Sequence, residues 1–321
     1  MKGAALVSAK GITVEFNKHV VLDNCDLTIE KGEILGITGV SGAGKSTLIN
    51  SLCGIINPIK GIVHYNAAIA GLMGAKELAW RKDGSILKRF IGYSTQTPSF
   101  YPELTIMENL LFFGEMYGVP KKIVQKNGSV LLDLLGLGKF HKKQASGLSG
   151  GMKKRLDIAA ALIHNPKILF LDEPTSDLDP ILRAKVWELV RKIHNQGTTI
   201  VISSHFLNEL EGVCTRVAII NNGKVARSIH HGFNTEGAIC WMNVEIETRN
   251  YSNIIKKIKE IKGITEEDVF EIDGEPLLIR IPNNDNFKGR IIAIGKKCGQ
   301  EIKSIEPCPQ PLRKIFEGTV K

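Results

Sequence analysis

The sequence predicts an α/β protein. It should hold a mixed, mostly parallel sheet with helices on both faces, an antiparallel β region before it, an inserted helical block, and a small α+β unit after it. Three observations carry this. Short apolar or β-branched runs at 33–38, 167–171, 198–203 and 217–220 alternate with helical periodicity. The first run ends in a glycine-rich turn from which a helix starts. After about His231 the chain restarts with a complete β-α-β-β-α-β order.

Taken in order, Ile12, Val14 and Phe16, then residues 20–22 and 27–29, alternate as antiparallel strands punctuated by Gly11, Asn17 and Asn24. Residues 33–38 form a buried strand, and Leu48, Ile49 and Leu52 give the next helix one apolar face. Strand resumes at 62–64. Residues 66–90 read as irregular, with a basic cluster of Arg81, Lys82, Lys88 and Arg89. From 105 to about 148 the chain reads as mostly helical, opened by capping-box spacing between Thr105 and Glu108. Ser149 starts a further helix with Leu156, Ala159, Ala160 and Ile163 on one face, stopped by Asn165-Pro166. Helix is expected at 182–194, and the strand at 217–220 closes on an Asn222-Gly223 turn.

In the tail, strands are expected at 242–248, 268–272, 277–281 and 302–305, the middle two as a hairpin around Gly274. Helices are expected at 251–261, 287–297 and 312–316. This order is the ferredoxin-like pattern. The expected domains are therefore 1–231, with a helical subdomain at about 97–164, and 232–321.

Of 42 Lys and Arg and 33 Asp and Glu, residues 1–225 hold 27 and 19, and residues 226–321 hold 15 and 14. Of the net charge of +9, all but one unit thus belongs to the first two thirds, where it suits an anionic partner. No apolar run approaches the ~20 residues needed to span a bilayer, and the first ten residues are too interrupted for a signal peptide. Cys25, Cys53, Cys214, Cys240, Cys298 and Cys308 are widely spaced, as expected of reduced thiols. The expectation is a cytoplasmic chain that reaches a membrane only through another subunit.

The run Gly39-Val40-Ser41-Gly42-Ala43-Gly44-Lys45-Ser46 fits the P-loop form G-x-x-x-x-G-K-[ST] between a strand and a helix. Glycines let backbone N–H groups converge on phosphate oxygens, and the helix start adds its positive dipole end. Lys45 sets a charge on the terminal phosphates, and Ser46 offers a hydroxyl to Mg²⁺. Residues 168–173 form a second constellation, an apolar strand closing on Asp172 and Glu173. Asp172 is placed to bind Mg²⁺ directly or through water, and Glu173 to polarise an attacking water.

Leu148-Ser149-Gly150-Gly151-Met152 lies just upstream of that strand. The run 148–180, with the P-loop before it, resembles the ATP-binding-cassette (ABC) ATPases over about the first 225 residues. Met152 followed by Lys153, Lys154 and Arg155 resembles the branch serving ABC-2-type exporters, and a small C-terminal α/β domain suits that branch. The resemblance implies a nucleotide site of Gly39, Val40, Ser41, Gly42, Ala43, Gly44, Lys45, Ser46 and Thr47, with Phe16 stacking on adenine. It implies a Q-loop at Gln96, sensing Mg²⁺ or water, and a D-loop of Ser176, Asp177, Leu178 and Asp179. His205 is then the switch histidine on the γ-phosphate, and Ser46, Gln96 and Asp172 the Mg²⁺ set. The chain departs from the family pattern at Asp177, where Gly is usual, at Ser41, where such exporters more often have Asn, and in a longer 61–96 stretch.

The resemblance further implies two ATPase subunits, identical or not, dimerised head to tail. Leu148, Ser149, Gly150, Gly151 and Met152 of one would close over the ATP of the other, and a separate membrane permease would dock on about residues 97–107. No nucleic-acid partner is expected. Rival readings are a soluble ABC ATPase, as in iron–sulfur assembly or translation, and a binding module with a dead site. The second would lack Lys45, Glu173 or His205, all present. A GTPase would carry Asn-Lys-x-Asp, and a DNA-repair member long heptads; neither occurs. The tail is expected to be a regulatory or assembly unit apart from the nucleotide.

Overall fold

Two twelve-residue strands, β1 (Ala5–Phe16) and β2 (His19–Glu30), form an antiparallel hairpin. Its turn residues Asn17 and Lys18 take positive φ (49° and 66°), which matches the strand twist. The sequence divides this region into three runs. In the structure the pairing runs on past Gly11 and Asn24, which take positive φ where the register shifts between Ala9, Ile12 and Val14. The computed structural model describes residues 4–71, 77–176, 178–230, 239–246, 251–261, 264–265, 268–272, 275–282, 285–308 and 311–320.

β3 (Ile34–Gly39) leads through the glycine-rich loop into α1 (Lys45–Leu52). β4 (Lys60–Asn66) returns to β1, and β5 (Glu77–Ala79) adds an edge, giving the order β2-β1-β4-β5. The stretch expected to be irregular also holds α2 (Trp80–Leu87). Its start is held by the Asp83 carboxylate, which accepts from the Ala79 N–H at 2.9 Å, and Trp80 packs 6.0 Å from Tyr65. The Trp80–Tyr65 contact, with Arg81 Nη2 donating to the Pro58 carbonyl at 3.1 Å, ties to distant chain a helix that local propensity, with Gly84 inside it, does not announce.

β6 (Ile91–Ser94) precedes a helical block of α3 (Ile106–Met116), α4 (Lys121–Leu134) and α5 (Gly150–Leu162). Thr105 and Glu108 form the expected capping box on α3, and Ser149 is the N-cap of α5. Then follow β7 (Ile168–Asp172), α6 (Pro180–Asn195), β8 (Thr199–Ser203), α7 (Leu207–Val213), β9 (Arg216–Asn221) and β10 (Lys224–His230). The central sheet has the order β10-β9-β3-β8-β7-β6. All neighbours in it are parallel except the β9–β10 hairpin at Asn222-Gly223. Sequence reading missed β6 and α7, each too short to show a period.

Period-two alternation divides the core. Leu35, Ile37, Ile168 and Phe170 face α1 and the antiparallel sheet, whereas Ile34, Leu169, Leu171 and Ile202 face α5, α6 and α7. A buried bidentate pair joins the residue before β3 to β9: Arg216 donates from Nη2 and Nε to the two Glu33 oxygens at 2.7 and 2.9 Å. Arg216 also donates to the Thr28 carbonyl of β2. Glu33→Ala would strand a buried guanidinium, so it is expected to lower unfolding free energy by about 3–5 kcal/mol. Urea denaturation measures this, and a loss under ~1 kcal/mol would show that water already compensates the pair.

The tail comprises β11 (Ile239–Ile246), α8 (Ser252–Lys259), β12 (Val269–Phe270), β13 (Leu277–Pro282), α9 (Asp285–Lys297), β14 (Ile302–Pro307) and α10 (Pro311–Val320). Its antiparallel sheet has the order β12-β13-β11-β14, that of the ferredoxin-like pattern. Gly274 and the expected boundary at 231–232 lie outside the described residues. One sheet face carries Met242, Val244, Leu277 and Ile279 against Ile254, Ile258 and Ile291. The other turns Trp241, Phe270 and Leu278 into the larger core of the first two thirds, together with Leu312 and Ile315 of α10. Cys25, Cys53, Cys214 and Cys298 are free thiols, and among the described residues no helix is long and apolar enough to cross a membrane.

Candidate functional site

Three strand ends of the central sheet bring the sequence-distant candidates together. β3 ends at Gly39, β7 at Asp172 and β8 at Ser203, all in parallel register, so the loops after them open on one edge. A cleft of about 750 Å³ lies there. Its wall holds Gly39, Val40, Ser41, Gly42, Gly44, Lys45, Ser46, Thr47, Gln96, Glu173, Ser176 and His205, with Val21 and Phe316. Ala43 is absent from it because its methyl is buried in the core.

Backbone conformation explains the glycines. Gly44 has φ 103° and heads α1, and a Cβ there would meet Leu22 at 2.7 Å. A Cβ on Gly39 would stand 2.4 Å from the Ile220 carbonyl oxygen. The loop can therefore present bare N–H groups to a phosphate. Lys45 Nζ donates to the carbonyls of Gly39 at 3.0 Å and Val40 at 3.3 Å, which holds the ammonium over the loop.

Asp172 is buried at the end of β7. One carboxylate oxygen accepts from Ser203 Oγ, and the other, Oδ2, is buried with no protein partner. An orphaned carboxylate oxygen beside a P-loop fits a hard divalent cation such as Mg²⁺. Glu173 has φ 47°, a strained left-handed backbone for a non-glycine residue. Its N–H is held by Ser203, at 2.9 Å to Oγ, and its Oε2 lies 2.9 Å from His205 Nδ1. The strain turns the Glu173 side chain into the cleft wall while Asp172 stays beneath it.

The signature residues lie elsewhere. Leu148 is buried and Met152 half-buried, and they anchor the segment against the core. Ser149 and Gly150 are exposed, Ser149 Oγ accepting from the Met152 N–H at 3.4 Å. None of Leu148, Ser149, Gly150, Gly151 and Met152 lines the cleft. In the D-loop, Ser176 joins the wall, Leu178 is buried, and Asp179 caps α6 by accepting from the Ile181 and Leu182 N–H groups at 3.0 Å. Asp177 lies outside the described residues. Phe16 is not in the cleft wall; its ring is 46% exposed at the tip of the first hairpin, whose second strand supplies Val21.

Sequence reading missed four residues. Lys154, taken there as part of a basic run, is buried and donates to the carbonyls of Thr95 at 2.6 Å and Asp172 at 2.9 Å. It therefore ties α5, behind the signature loop, to the Q-loop and to β7. Asp157, on the same helix, accepts from Ser94 Oγ at 2.6 Å and the Ser99 N–H at 2.8 Å. Burial pushes its carboxyl pKa up, while these bonds oppose the shift. An acid inside the apolar run 156–163 was the available signal. Val21 sits in an alternating strand and gave none. Phe316 lies in a tail that sequence reading gave no place in the cleft: α10 packs against α7 and β9 and puts it in the wall.

Comparison with known proteins identifies the family. A family profile described as ABC transporter matches residues 22–176. The chain is 34% identical over 220 residues to the linearmycin resistance ATP-binding protein LnrL of Bacillus subtilis, covering 68% of each chain. It is 31% identical over 282 residues to the Nod factor export ATP-binding protein I of Rhizobium sp. (strain N33), covering 86% of this chain and 88% of that one. A solved structure described as the ATP-binding subunit of an ABC transporter superposes with a TM-score of 0.63 at 26% identity, over 70% of this chain and 90% of that one.

Proposed function

Since the chain belongs to the ATP-binding subunits of ABC transporters, as an ATPase of the exporter-like kind, we propose that it hydrolyses MgATP at a head-to-tail dimer interface and drives a separate permease of the ABC-2 type. One observation carries the reading. Lys45, Ser46, Gln96, Glu173 and His205 share one cleft, while Ser149 and Gly150 are exposed and lie outside its wall. Such a cleft is completed by the signature loop of a second subunit.

In this reading the loop N–H groups, Lys45, Ser46 and Thr47 hold the phosphates. Phe16, exposed beside the strand of Val21, stacks on the base. Ser46, Gln96 and Asp172 hold Mg²⁺, which neutralises phosphate charge when bound. Glu173 orients the attacking water and takes its proton, and the 2.9 Å contact with His205 fixes that carboxylate against the γ-phosphate end. The Ser149 hydroxyl and the Gly150 and Gly151 N–H groups at the start of α5 then hold the γ-phosphate of the opposite subunit. Lys154 links that loop to Gln96 through Thr95, so closure on one side is felt at the other. The docking surface for the permease is the helical block around Tyr101, which is 45% exposed and packed edge-on against Phe112 at 4.5 Å. The subunit would then sit on the cytoplasmic face of the membrane.

A mixing experiment tests the shared site. Lys45→Ala and Ser149→Arg homodimers are both expected to be nearly inactive. Their mixture contains heterodimers with one doubly damaged and one intact site, so partial ATPase activity should return. Activity strictly proportional to protein concentration down to monomeric levels would exclude the composite site. Failure of any integral membrane protein to co-purify from detergent-solubilised membranes would favour a soluble ABC ATPase instead.

A further inference from the structure

α10, the last helix of the chain, reaches the nucleotide cleft, and its docking is built from specific contacts. The Leu312 N–H in its first turn donates to Glu211 Oε1 at 2.8 Å, and Glu211 stands on α7, the helix that follows His205. A carboxylate at a helix start is favoured by the helix dipole, and Pro311 at the first position needs no N–H partner. At the other end Asn221 Nδ2 donates to the Thr319 carbonyl at 3.1 Å. Asn221 ends β9, next to the Ile220 carbonyl against which Gly39 packs. Between these ends Leu312 and Ile315 are buried in the core with Leu210, Val213 and Ile219, and half-buried Phe316 forms part of the cleft wall. The outer side of α10 is tied to the tail by Lys314 Nζ, 2.8 Å from Glu275 Oε2.

We propose that α10 is a component of the nucleotide site: latched by Glu211 and Asn221, it supplies Phe316 as a wall of the cleft, so that nucleotide occupancy and the docking of α10 stabilise each other. Phe316 is thus a binding residue contributed by the tail, and the tail senses nucleotide through it. Linkage makes the effect reciprocal. Whatever nucleotide gains from a docked α10, α10 gains from bound nucleotide, and a partner that pulls on the tail would weaken nucleotide by the same factor. The inference rests on the nucleotide-site reading above.

Amide hydrogen exchange over residues 311–320 of the full chain, without nucleotide and with saturating Mg–AMP-PNP, tests the proposal, alongside nucleotide affinity. In the unmodified chain nucleotide should slow this exchange by roughly fivefold or more. Phe316→Ala keeps the Leu312 and Ile315 anchors. It should weaken Mg–AMP-PNP by a similar factor and abolish the nucleotide-dependent slowing, with Phe316→Leu restoring part of both. Glu211→Ala should raise exchange even without nucleotide and weaken nucleotide to a similar extent. The double variant should be little worse than either single one, because both break the same link. Binding of Mg–AMP-PNP with no change at 311–320, together with unchanged affinity in Phe316→Ala, would overturn the proposal and leave the nucleotide-site reading standing. A full chain that binds no Mg–AMP-PNP would overturn both.

Discussion

Glu173→Gln is expected to leave ATP binding intact and to cut turnover by roughly 10²–10⁴-fold, the span general-base catalysis covers. Gln has the same shape and can keep a hydrogen bond to His205 Nδ1, which lies 2.9 Å from the carboxylate in the unmodified chain. It cannot take a proton from water. The strained backbone at φ 47° and the Ser203 bonds to the Glu173 N–H are main-chain features that the substitution leaves in place. Loss of rate therefore isolates the carboxylate. Phosphate release under steady state, beside nucleotide affinity on the same preparation, separates chemistry from binding. With hydrolysis stopped, ATP should hold two subunits together, as an early-eluting species in gel filtration. Near-normal turnover would remove Glu173 from the mechanism.

Lys45→Ala is expected to abolish ATP binding at millimolar concentrations. Removing one partner of a close charge pair costs about 2–5 kcal/mol, equivalent to roughly 30-fold to several-thousand-fold in Kd. The fold should not suffer, since the ammonium otherwise contacts only the Gly39 and Val40 carbonyls at the cleft surface. Equilibrium dialysis with labelled ATP, with urea unfolding as control, measures both parts. Unchanged affinity would count against the P-loop reading. The two variants separate the roles within one cleft: one keeps nucleotide and loses chemistry, the other loses nucleotide outright.

Much of the site was legible because its parts are local. The Gly39–Ser46 segment must take positive φ at Gly42 and Gly44, and the sequence marks this by glycine. Ser149 and Thr105 announce helix starts through their side-chain oxygens, and both are caps in the structure. The four apolar residues 168–171 before Asp172 and Glu173 read as a short strand with carboxylates at its end, and β7 is that strand. Lys154 was misjudged because a lysine in a basic run reads as solvated. The carbonyls of Thr95 and Asp172, brought to it from 59 and 18 residues away, receive its ammonium in the interior. α2 was missed for the same reason, since Trp80 packs on Tyr65 and Arg81 donates to the Pro58 carbonyl, chain that lies elsewhere.

The sequence by itself determined the class of fold, the order of elements, the phosphate loop, the paired carboxylates and a tail with its own β-α-β-β-α-β order. Each of these follows from short-range rules: backbone conformations open to glycine, side chains that cap nearby N–H groups, and the two- and 3.6-residue periods of strand and helix. The tertiary structure alone decided where the tail docks. It put Phe316 in the cleft wall beside residues from the first half of the chain, left Ser149 exposed outside that wall, and left Phe16 exposed at a hairpin tip. These placements depend on how apolar faces and unpaired polar groups far apart in sequence fit one another, as Glu211 with Leu312 and Asn221 with Thr319. Such complementarity is a property of assembled surfaces, and no local pattern along the chain encodes it.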